Sequence, residues 1–132
     1  MDSSCFCISV RKASRRITAI YDDALAPVGI NLAQFSLLKS MRRLAPVSLT
    51  DLAKNAELDR STMGRNMRVL ERMGLASSVG SQDQREAAFA LTPLGQQTLD
   101  RAMPLWEQVQ VDIEEKLGPA NAAQLNLLLS AL

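Results

Sequence analysis

Four side chains that can bind a polyanion recur at helical spacing in the middle of the chain. Ser61 is followed by Arg65, Arg68 and Arg72 at steps of four, three and four residues. On a helix these positions fall within about 60° of one another. The planar guanidinium of arginine pairs with phosphate oxygens, or with O6 and N7 of a guanine. The spacing therefore predicts one cationic helix face with a hydroxyl near its N-terminal end.

The opposite side of the same segment is apolar, and its first turn carries hydroxyls. Met63, Met67, Leu70 and Met73 centre roughly 180° from the arginines, which predicts that this side enters a core. Ser61 and Thr62 lie in the first turn, where free backbone N–H groups and the helix dipole favour a phosphate. An isolated helix of this kind is more often an ordinary surface helix with its arginines in water, so the interpretation depends on the elements that precede and follow it.

A short capped helix precedes the cationic one. Ser48 to Asp51 fits a capping box, and the next apolar residues share one helix face. Residues 55–58 are expected to form a turn, after which Asp59 caps a second helix that runs to about Met73 and stops at Gly74. Two short helices with a cationic second member form the arrangement that brings a recognition helix to the major groove of DNA.

A predicted β-hairpin follows the cationic helix. Leu75–Val79 and Ala87–Leu91 are short β-type runs on either side of a polar tip. Arg85 stands at that tip, and an arginine that enters a narrow minor groove is stabilised by its negative potential. Asp83 is close enough in sequence to brace Arg85 or another arginine. The plainer interpretation is a solvated turn with a chance ion pair.

Longer helices are expected on both sides of this unit. One is predicted from Ser4 to Leu25, and another follows an N-cap at Asn31 and stops before Pro46. Thr92-Pro93 opens a long helix that Pro104 should kink or split, and Gly118-Pro119 ends it. A final amphipathic segment carries Leu125, Leu128, Leu129 and Leu132. The apolar stripes of the terminal helices exceed what one small domain can bury, which predicts a homodimer.

Composition excludes several classes of function. The 132 residues carry a net charge of +1, but residues 39–72 hold eight basic against four acidic side chains, a net of +4. Residues 100–132 hold two against five, a net of −3. A general nucleoid-type DNA binder would be far more basic overall. The sequence has no histidine and two cysteines, which argues against an enzyme with a histidine base and against a metal site, and no cofactor is expected.

The location expected from the sequence is cytoplasmic. No apolar run approaches the roughly 20 residues of a membrane helix, so no membrane partner is expected. The first four residues are polar and acidic, unlike the basic start of a secretory signal.

Together these residues resemble the MarR-type transcriptional regulators, named after multiple antibiotic resistance. The resemblance is carried by Leu58-Asp59-Arg60-Ser61-Thr62, Arg65-Asn66, Leu70-Glu71-Arg72, Gly74-Leu75, Asp83-Gln84-Arg85, Leu91-Thr92 and Gly95. The residues around Arg15-Arg16, Tyr21, Leu25–Gly29 and Gln34-Phe35 are similar to the family's first two helices. The resemblance covers nearly the whole chain.

The resemblance implies a mainly α fold with a small β-hairpin wing: a winged helix-turn-helix over residues 31–92, flanked by dimerisation helices in residues 1–30 and 93–132. The homodimer would bind a pseudo-palindromic operator in double-stranded DNA as a repressor, released by a small lipophilic or phenolic effector. Recognition-helix contacts are expected from Arg60, Ser61, Thr62, Arg65, Asn66 and Arg68, and wing contacts from Asp83 and Arg85.

Two alternatives stay open at this point. Cys7 is spaced from Arg15, Thr18 and Tyr21 like the reactive cysteine of the peroxide-sensing members, which would make the protein a thiol-based redox repressor. Against this, the chain has Leu32 and Phe35 where those members use tyrosines, and Cys7 could equally pack as a small apolar residue. A winged-helix protein-interaction module is the other alternative, and the cationic face and Arg85 disfavour it.

Overall fold

The computed structural model describes residues 5–80 and 87–132. Within these ranges the chain forms six α-helices, a 3₁₀ turn at Ala26–Val28 and a small sheet. The helices are α1 Phe6–Leu25, α2 Leu32–Leu44, α3 Leu49–Ala56, α4 Arg60–Arg72, α5 Pro93–Leu117 and α6 Pro119–Ser130, and the strands are β1 Val47–Ser48, β2 Ala76–Val79 and β3 Ala88–Leu91. The predicted mainly α fold with a β-hairpin is confirmed.

Local hydrogen bonds start the helices where the sequence placed them. Asn31 and Gln34 form a full capping box on α2: the Asn31 side chain accepts from the Gln34 N–H (2.9 Å), and the Gln34 side chain accepts from the Asn31 N–H (3.0 Å). At α3 the structure shows one half of the predicted box, with the Ser48 hydroxyl accepting from the Asp51 N–H at 3.1 Å. Thr92 caps α5 in the same way through the Gly95 N–H.

The turn between α3 and α4 is shorter than the sequence predicted. Asn55 and Ala56 are helical, so the expected turn at 55–58 begins only at Glu57. Glu57 takes a left-handed conformation (φ 54°), and the Leu58 N–H donates to the Ala53 carbonyl at 2.9 Å. This pattern satisfies the last carbonyls of the helix, which is why α3 continues two residues further than predicted before the chain reverses.

The sheet is antiparallel, in the order β1-β3-β2. The pairing of β2 with β3 confirms the predicted hairpin, with Ala76 opposite Leu91 and Val79 opposite Ala88. The sequence did not predict β1, which is only two residues long and pairs Val47 with Phe89. A strand that short has no alternating pattern to detect.

One core joins the helices to the sheet. Its fully buried side chains come from α2, α3, α4 and α5 and from the residue that closes α1: Phe35, Leu38, Met41, Leu52, Met63, Met67, Leu70, Leu99 and Leu25. Trp106 of α5 stacks on Phe35 with ring centroids 5.5 Å apart. The core therefore fixes α4 against α2 and α3 while it holds α5 in place.

The C-terminal helices bear on two of the predictions. Of the kink or split expected at Pro104, the split is wrong: α5 stays helical from Pro93 to Leu117, with Ala102 and Val109 buried on either side of the proline. In α6 no residue is buried, and Leu127 and Leu128 are 67% and 57% exposed, so much of its apolar side-chain surface is left uncovered by the rest of the chain. None of the helices in the described ranges is both long and apolar enough to cross a membrane.

Candidate nucleic-acid interface

Helix α4 carries the two faces that its sequence predicted. Met63, Met67 and Leu70 are 2%, 1% and 0% exposed, and Met73 is half-buried. On the other side a hydroxyl and three guanidinium groups are exposed, from Ser61, Arg65, Arg68 and Arg72. Burial of the methionine face fixes the rotation of the helix, so the cationic face points to solvent.

The start of α4 is built from an acidic cap and a hydroxyl. Asp59 is the N-cap, and its Oδ2 accepts from the Thr62 N–H at 3.2 Å. The Thr62 hydroxyl donates to Asp59 Oδ1 at 2.5 Å, and it accepts from Arg65 Nη2 at 3.2 Å. These hydrogen bonds lower the pKa of Asp59, the one from the Thr62 hydroxyl most, and the nearby Arg65 charge adds to the effect.

Within the described residues, no carboxylate forms an ion pair with the arginines of this face. In residues 5–80 and 87–132, Arg65, Arg68 and Arg72 form no ion pair within 4 Å, and the Arg68 Nε donates to the Gly64 carbonyl at 3.3 Å. An ion pair away from α4 joins Arg42 of α2 to Asp100 of α5 at 2.6 Å. The exposed face of α4 is thus a surface with net positive charge, suited to phosphates and to guanine edges.

The remaining predicted recognition residues lie around this face. Arg60 is exposed at the first helical position, while Thr62 and Asn66 are half-buried at its two borders. Asn66 also lines two small clefts, one of about 220 Å³ between α2 and α4 and one of about 200 Å³ between α2, α3 and α4. All six predicted residues of the recognition helix are therefore on or beside the exposed side of α4.

The base of the wing is well anchored. The Thr92 hydroxyl donates to the Gly74 carbonyl at 2.5 Å, and the Thr92 N–H donates to the Leu75 carbonyl at 3.1 Å. These bonds tie the start of β2 to the start of α5. The predicted wing-tip residues Asp83 and Arg85 lie outside the described residues.

A groove of about 420 Å³ runs between α1, α5 and α6. Tyr21 lies in it and donates a short hydrogen bond to the Gln110 side chain. Burial raises the pKa of Tyr21 above its ordinary value. The rest of the lining is largely apolar, with Ile17, Leu125 and Leu129 among its members.

Both cysteines are free thiols at the start of α1. Cys5 is the residue before the helix and Cys7 is in its first turn, and both are exposed. Tyr21 is buried and bonded to Gln110, so the chain's one tyrosine is already engaged on α5 rather than beside Cys7. In the part of the chain that the structure describes, no group of three or more acidic or cysteine side chains is arranged to hold a metal ion.

Comparison with known proteins matches part of the chain to one protein family. The model of the MarR family matches residues 30–87, which include α2, α3, α4 and β2. A comparison with curated proteins gave no match.

Solved structures match along the whole chain. A DNA complex of the M. tuberculosis transcriptional regulator MosR is 32% identical, with a TM-score of 0.84 over 97% of this chain and 96% of that one. The transcriptional repressor CouR bound to a 23-mer DNA duplex is 26% identical, with a TM-score of 0.88 over 96% and 91%. CouR bound to p-coumaroyl-CoA is 25% identical, with a TM-score of 0.88 over 96% and 89%.

Proposed function

The chain belongs to the MarR family of transcriptional regulators, and on that premise we propose that it is a homodimeric repressor that binds a pseudo-palindromic operator and is released by a small effector. The observation that carries the proposal is α4, whose methionine face is buried while its arginines and Ser61 are presented to solvent. A helix presented in this way after a short capped helix fits the major groove of DNA. MosR and CouR, with the same fold, have both been seen bound to DNA.

We assign the residues of α4 two kinds of role. Base edges are contacted by Arg65, Ser61 and Asn66, since a guanidinium, a hydroxyl or an amide can distinguish one base pair from another. Thr62 lies beside Arg65 at the border of this face and hydrogen-bonds to it. Arg60 and Arg68 contact phosphates, which supply affinity without reading sequence. In the wing, Arg85 enters the flanking minor groove and Asp83 braces it.

The dimer follows from apolar surface that one chain leaves uncovered. On α1, Val10, Ile17 and Ile20 are 45%, 36% and 43% exposed, and α6 has no buried residue. Exposed apolar surface on adjoining helices marks an interface. We therefore propose that residues 1–30 and 93–132 form the dimerisation region and residues 31–92 the DNA-binding region, with half-sites about one DNA turn apart.

The effector is proposed to be small and lipophilic or phenolic. CouR binds p-coumaroyl-CoA, an aromatic thioester. In this chain the clefts beside α2 and α4 lie between the recognition helix and the helices that lead to the dimer region, so an occupied cleft would displace α4 from its DNA-binding position. The protein is proposed to act in the cytoplasm, to need no cofactor and to be no enzyme, because its exposed chemistry is that of a binding surface.

The experiment is fluorescence anisotropy with duplexes from the region upstream of the protein's own gene, compared with a scrambled duplex of equal length. A repressor of this kind binds one upstream duplex at least about 1,000-fold more tightly than the scrambled one, with an affinity that falls steeply as salt rises. Equal binding to all duplexes would contradict the proposal.

A thiol-switched repressor is the second candidate, because both cysteines are exposed at the start of α1. Under this candidate an organic hydroperoxide releases the protein from its operator, and Cys7→Ser abolishes the release. Release that persists in Cys7→Ser would exclude Cys7 as the sensor. Binding that survives oxidation would leave the small effector as the signal.

A further inference from the structure

We propose that Asp59 and Thr62 are positioning residues, which hold the Arg65 guanidinium in the orientation in which it meets the base that it reads. The inference rests on the DNA-binding function proposed above and explains how one contact of that function obtains its specificity. Asp59 caps α4 with one carboxylate oxygen. Its second carboxylate oxygen has a separate use.

Three hydrogen bonds run in one direction along the start of α4. Arg65 Nη2 donates to the Thr62 hydroxyl oxygen (3.2 Å), and that hydroxyl donates to Asp59 Oδ1 (2.5 Å). The Thr62 backbone N–H donates to Asp59 Oδ2 (3.2 Å). One carboxylate oxygen therefore caps the helix while the other binds the proton of the threonine hydroxyl.

The charge state of Asp59 fixes the polarity of this chain. Hydrogen bonds from the Thr62 hydroxyl and N–H, with a smaller contribution from the Arg65 charge, lower the pKa of Asp59, so the carboxylate is ionised at neutral pH. An ionised carboxylate only accepts hydrogen bonds, and the Thr62 hydroxyl must therefore donate to it. The threonine then has only lone pairs to offer, and one of them accepts from Arg65.

This arrangement orders a side chain that would otherwise be free. Arg65 is exposed, and an exposed arginine has many rotamers to lose when it binds. The bond to Thr62 uses one of its five N–H donors and leaves four for a base or a phosphate. Ordering the guanidinium before DNA arrives lowers the entropy lost at binding, and it favours the one base pair that this orientation fits.

The hydrogen bond of Arg68 differs from that of Arg65 because its acceptor is a backbone carbonyl. Its Nε donates to the backbone carbonyl of Gly64 at 3.3 Å, a bond that depends on no other side chain. A change at Asp59 or Thr62 should therefore alter the contact of Arg65 and leave that of Arg68 as it was. This difference supplies an internal control.

The first test is a double-mutant cycle between Thr62 and Arg65, measured by DNA binding. A duplex selected by the wild-type protein from a random pool is compared with versions substituted at each base pair. Thr62→Val should lower the discrimination at the base pair read by Arg65 by about 3- to 10-fold, the value of one hydrogen bond, while Thr62→Ser restores it. In the Arg65→Ala background, Thr62→Val should have no further effect. A loss that persists there would mean that Thr62 contacts DNA itself, and the proposal would be wrong.

Asp59 is tested by two substitutions that both keep the helix cap. Serine and asparagine cap helices about as well as aspartate, so Asp59→Ser and Asp59→Asn should unfold at nearly the wild-type temperature. The serine side chain is too short to hold both the Thr62 N–H and its hydroxyl, so Asp59→Ser should lose discrimination as Thr62→Val does. Asp59→Asn keeps one oxygen for the Thr62 N–H but turns an amide N–H donor toward the Thr62 hydroxyl, so it should lose discrimination as well. Full discrimination in Asp59→Ser would overturn the role of Asp59.

A measurement without DNA separates this inference from the function on which it rests. Rotation of the Arg65 guanidinium in the free protein is measured by NMR and should be slower in the wild type than in Thr62→Val, with Arg68 unchanged between the two. If the wild type selects no DNA sequence, the proposed function fails, yet this comparison still decides whether Thr62 holds Arg65. Equal rotation of Arg65 in both proteins would overturn the positioning role, whatever the protein binds.

Discussion

At the scale of single residues, the arginines of α4 differ in their hydrogen-bond partners. Arg65 is linked through Thr62 to Asp59, whereas the Arg68 Nε donates a hydrogen bond to the backbone of its own helix. The sequence predicted the shared face of these arginines, since helical spacing alone determines it. It did not predict the link to Asp59, because a side-chain hydrogen bond depends on rotamers that spacing does not fix.

Arg65→Ala and Arg68→Ala are expected to weaken DNA binding in different ways. Loss of a bidentate base contact at Arg65 should cost about 1–3 kcal/mol and relax specificity at one base pair. Loss of a phosphate contact at Arg68 should weaken binding to all sequences alike and reduce the salt slope by about 1. Anisotropy titrations at several salt concentrations, on operator and scrambled duplexes, measure both. Identical changes in the two variants would refute this division of roles.

Tyr21 should resist ionisation in the folded protein. Its phenol is buried, which raises its pKa above the ordinary 10.0. The folded state then holds this proton more tightly than the unfolded state, so its contribution to stability is complete below pH 10 and is lost as the pH rises above that value.

The measurement is simple because the chain has one tyrosine. Phenolate absorbance should appear at a higher pH in the native protein than in urea, and the alkaline loss of stability should be smaller in Tyr21→Phe. Phenolate that appears at the same pH in both states would show that the burial has no such effect.

At the scale of the elements, a glycine sets how closely α5 approaches the wing. A Cβ added at Gly95 would lie 2.0 Å from the Leu75 carbonyl oxygen. This oxygen belongs to the backbone, so no change of side-chain rotamer can relieve the clash. Gly95→Ala should therefore destabilise the fold by about 3 kcal/mol or more. Gly64 is the matched control, because its added Cβ would meet side-chain atoms at an ordinary 3.6 Å.

Gly64→Ala should leave stability unchanged or raise it by up to about 1 kcal/mol, as alanine favours a helix interior. Denaturant unfolding of the two variants beside the wild type measures both effects. Equal stability of Gly95→Ala and the wild type would mean that α5 can move away from β2 at no cost.

The elements also show where sequence patterns stop being informative. The caps Asn31, Asp59 and Thr92 were predictable because capping depends on residues within a few positions of each other. Strand β1 was not, since Val47 and Ser48 pair with a strand about forty residues later. The helical path through Pro104 depends likewise on burial of Ala102 and Val109, which tertiary packing determines.

At the scale of the whole molecule, the unburied side chains of α6 are the clearest sign that one chain is incomplete. The sequence predicted an apolar stripe there, and the structure leaves Leu125, Leu127, Leu128 and Leu129 exposed by 41–67%. A pattern in one sequence can show that such a surface needs a partner. It cannot show the partner's register, because the residues that cover the surface come from another chain.

Leu128→Glu is expected to weaken the dimer. A buried carboxylate without a partner costs several kcal/mol, and a two-fold interface includes each substitution twice. Sedimentation at micromolar concentration should show a monomer, with weaker operator binding as a result. Leu94→Glu is the control, because Leu94 is similarly exposed (50%) but lies at the start of α5, in the first turn beside the wing. A Leu128→Glu protein that stays dimeric would place the interface elsewhere.

The central claim is that two copies of this chain read two halves of one operator, and one binding measurement tests it most directly. The wild-type protein selects its preferred duplex from a random pool, and its affinity is compared for that duplex, for the same duplex with one half-site scrambled, and for the same duplex with five base pairs inserted between the halves. We expect a two-fold symmetric sequence, and a loss of affinity of at least about 100-fold for both altered duplexes, because half a turn of DNA moves the second half-site to the opposite face. Selection of an asymmetric site, or equal affinity for all three duplexes, would contradict the account.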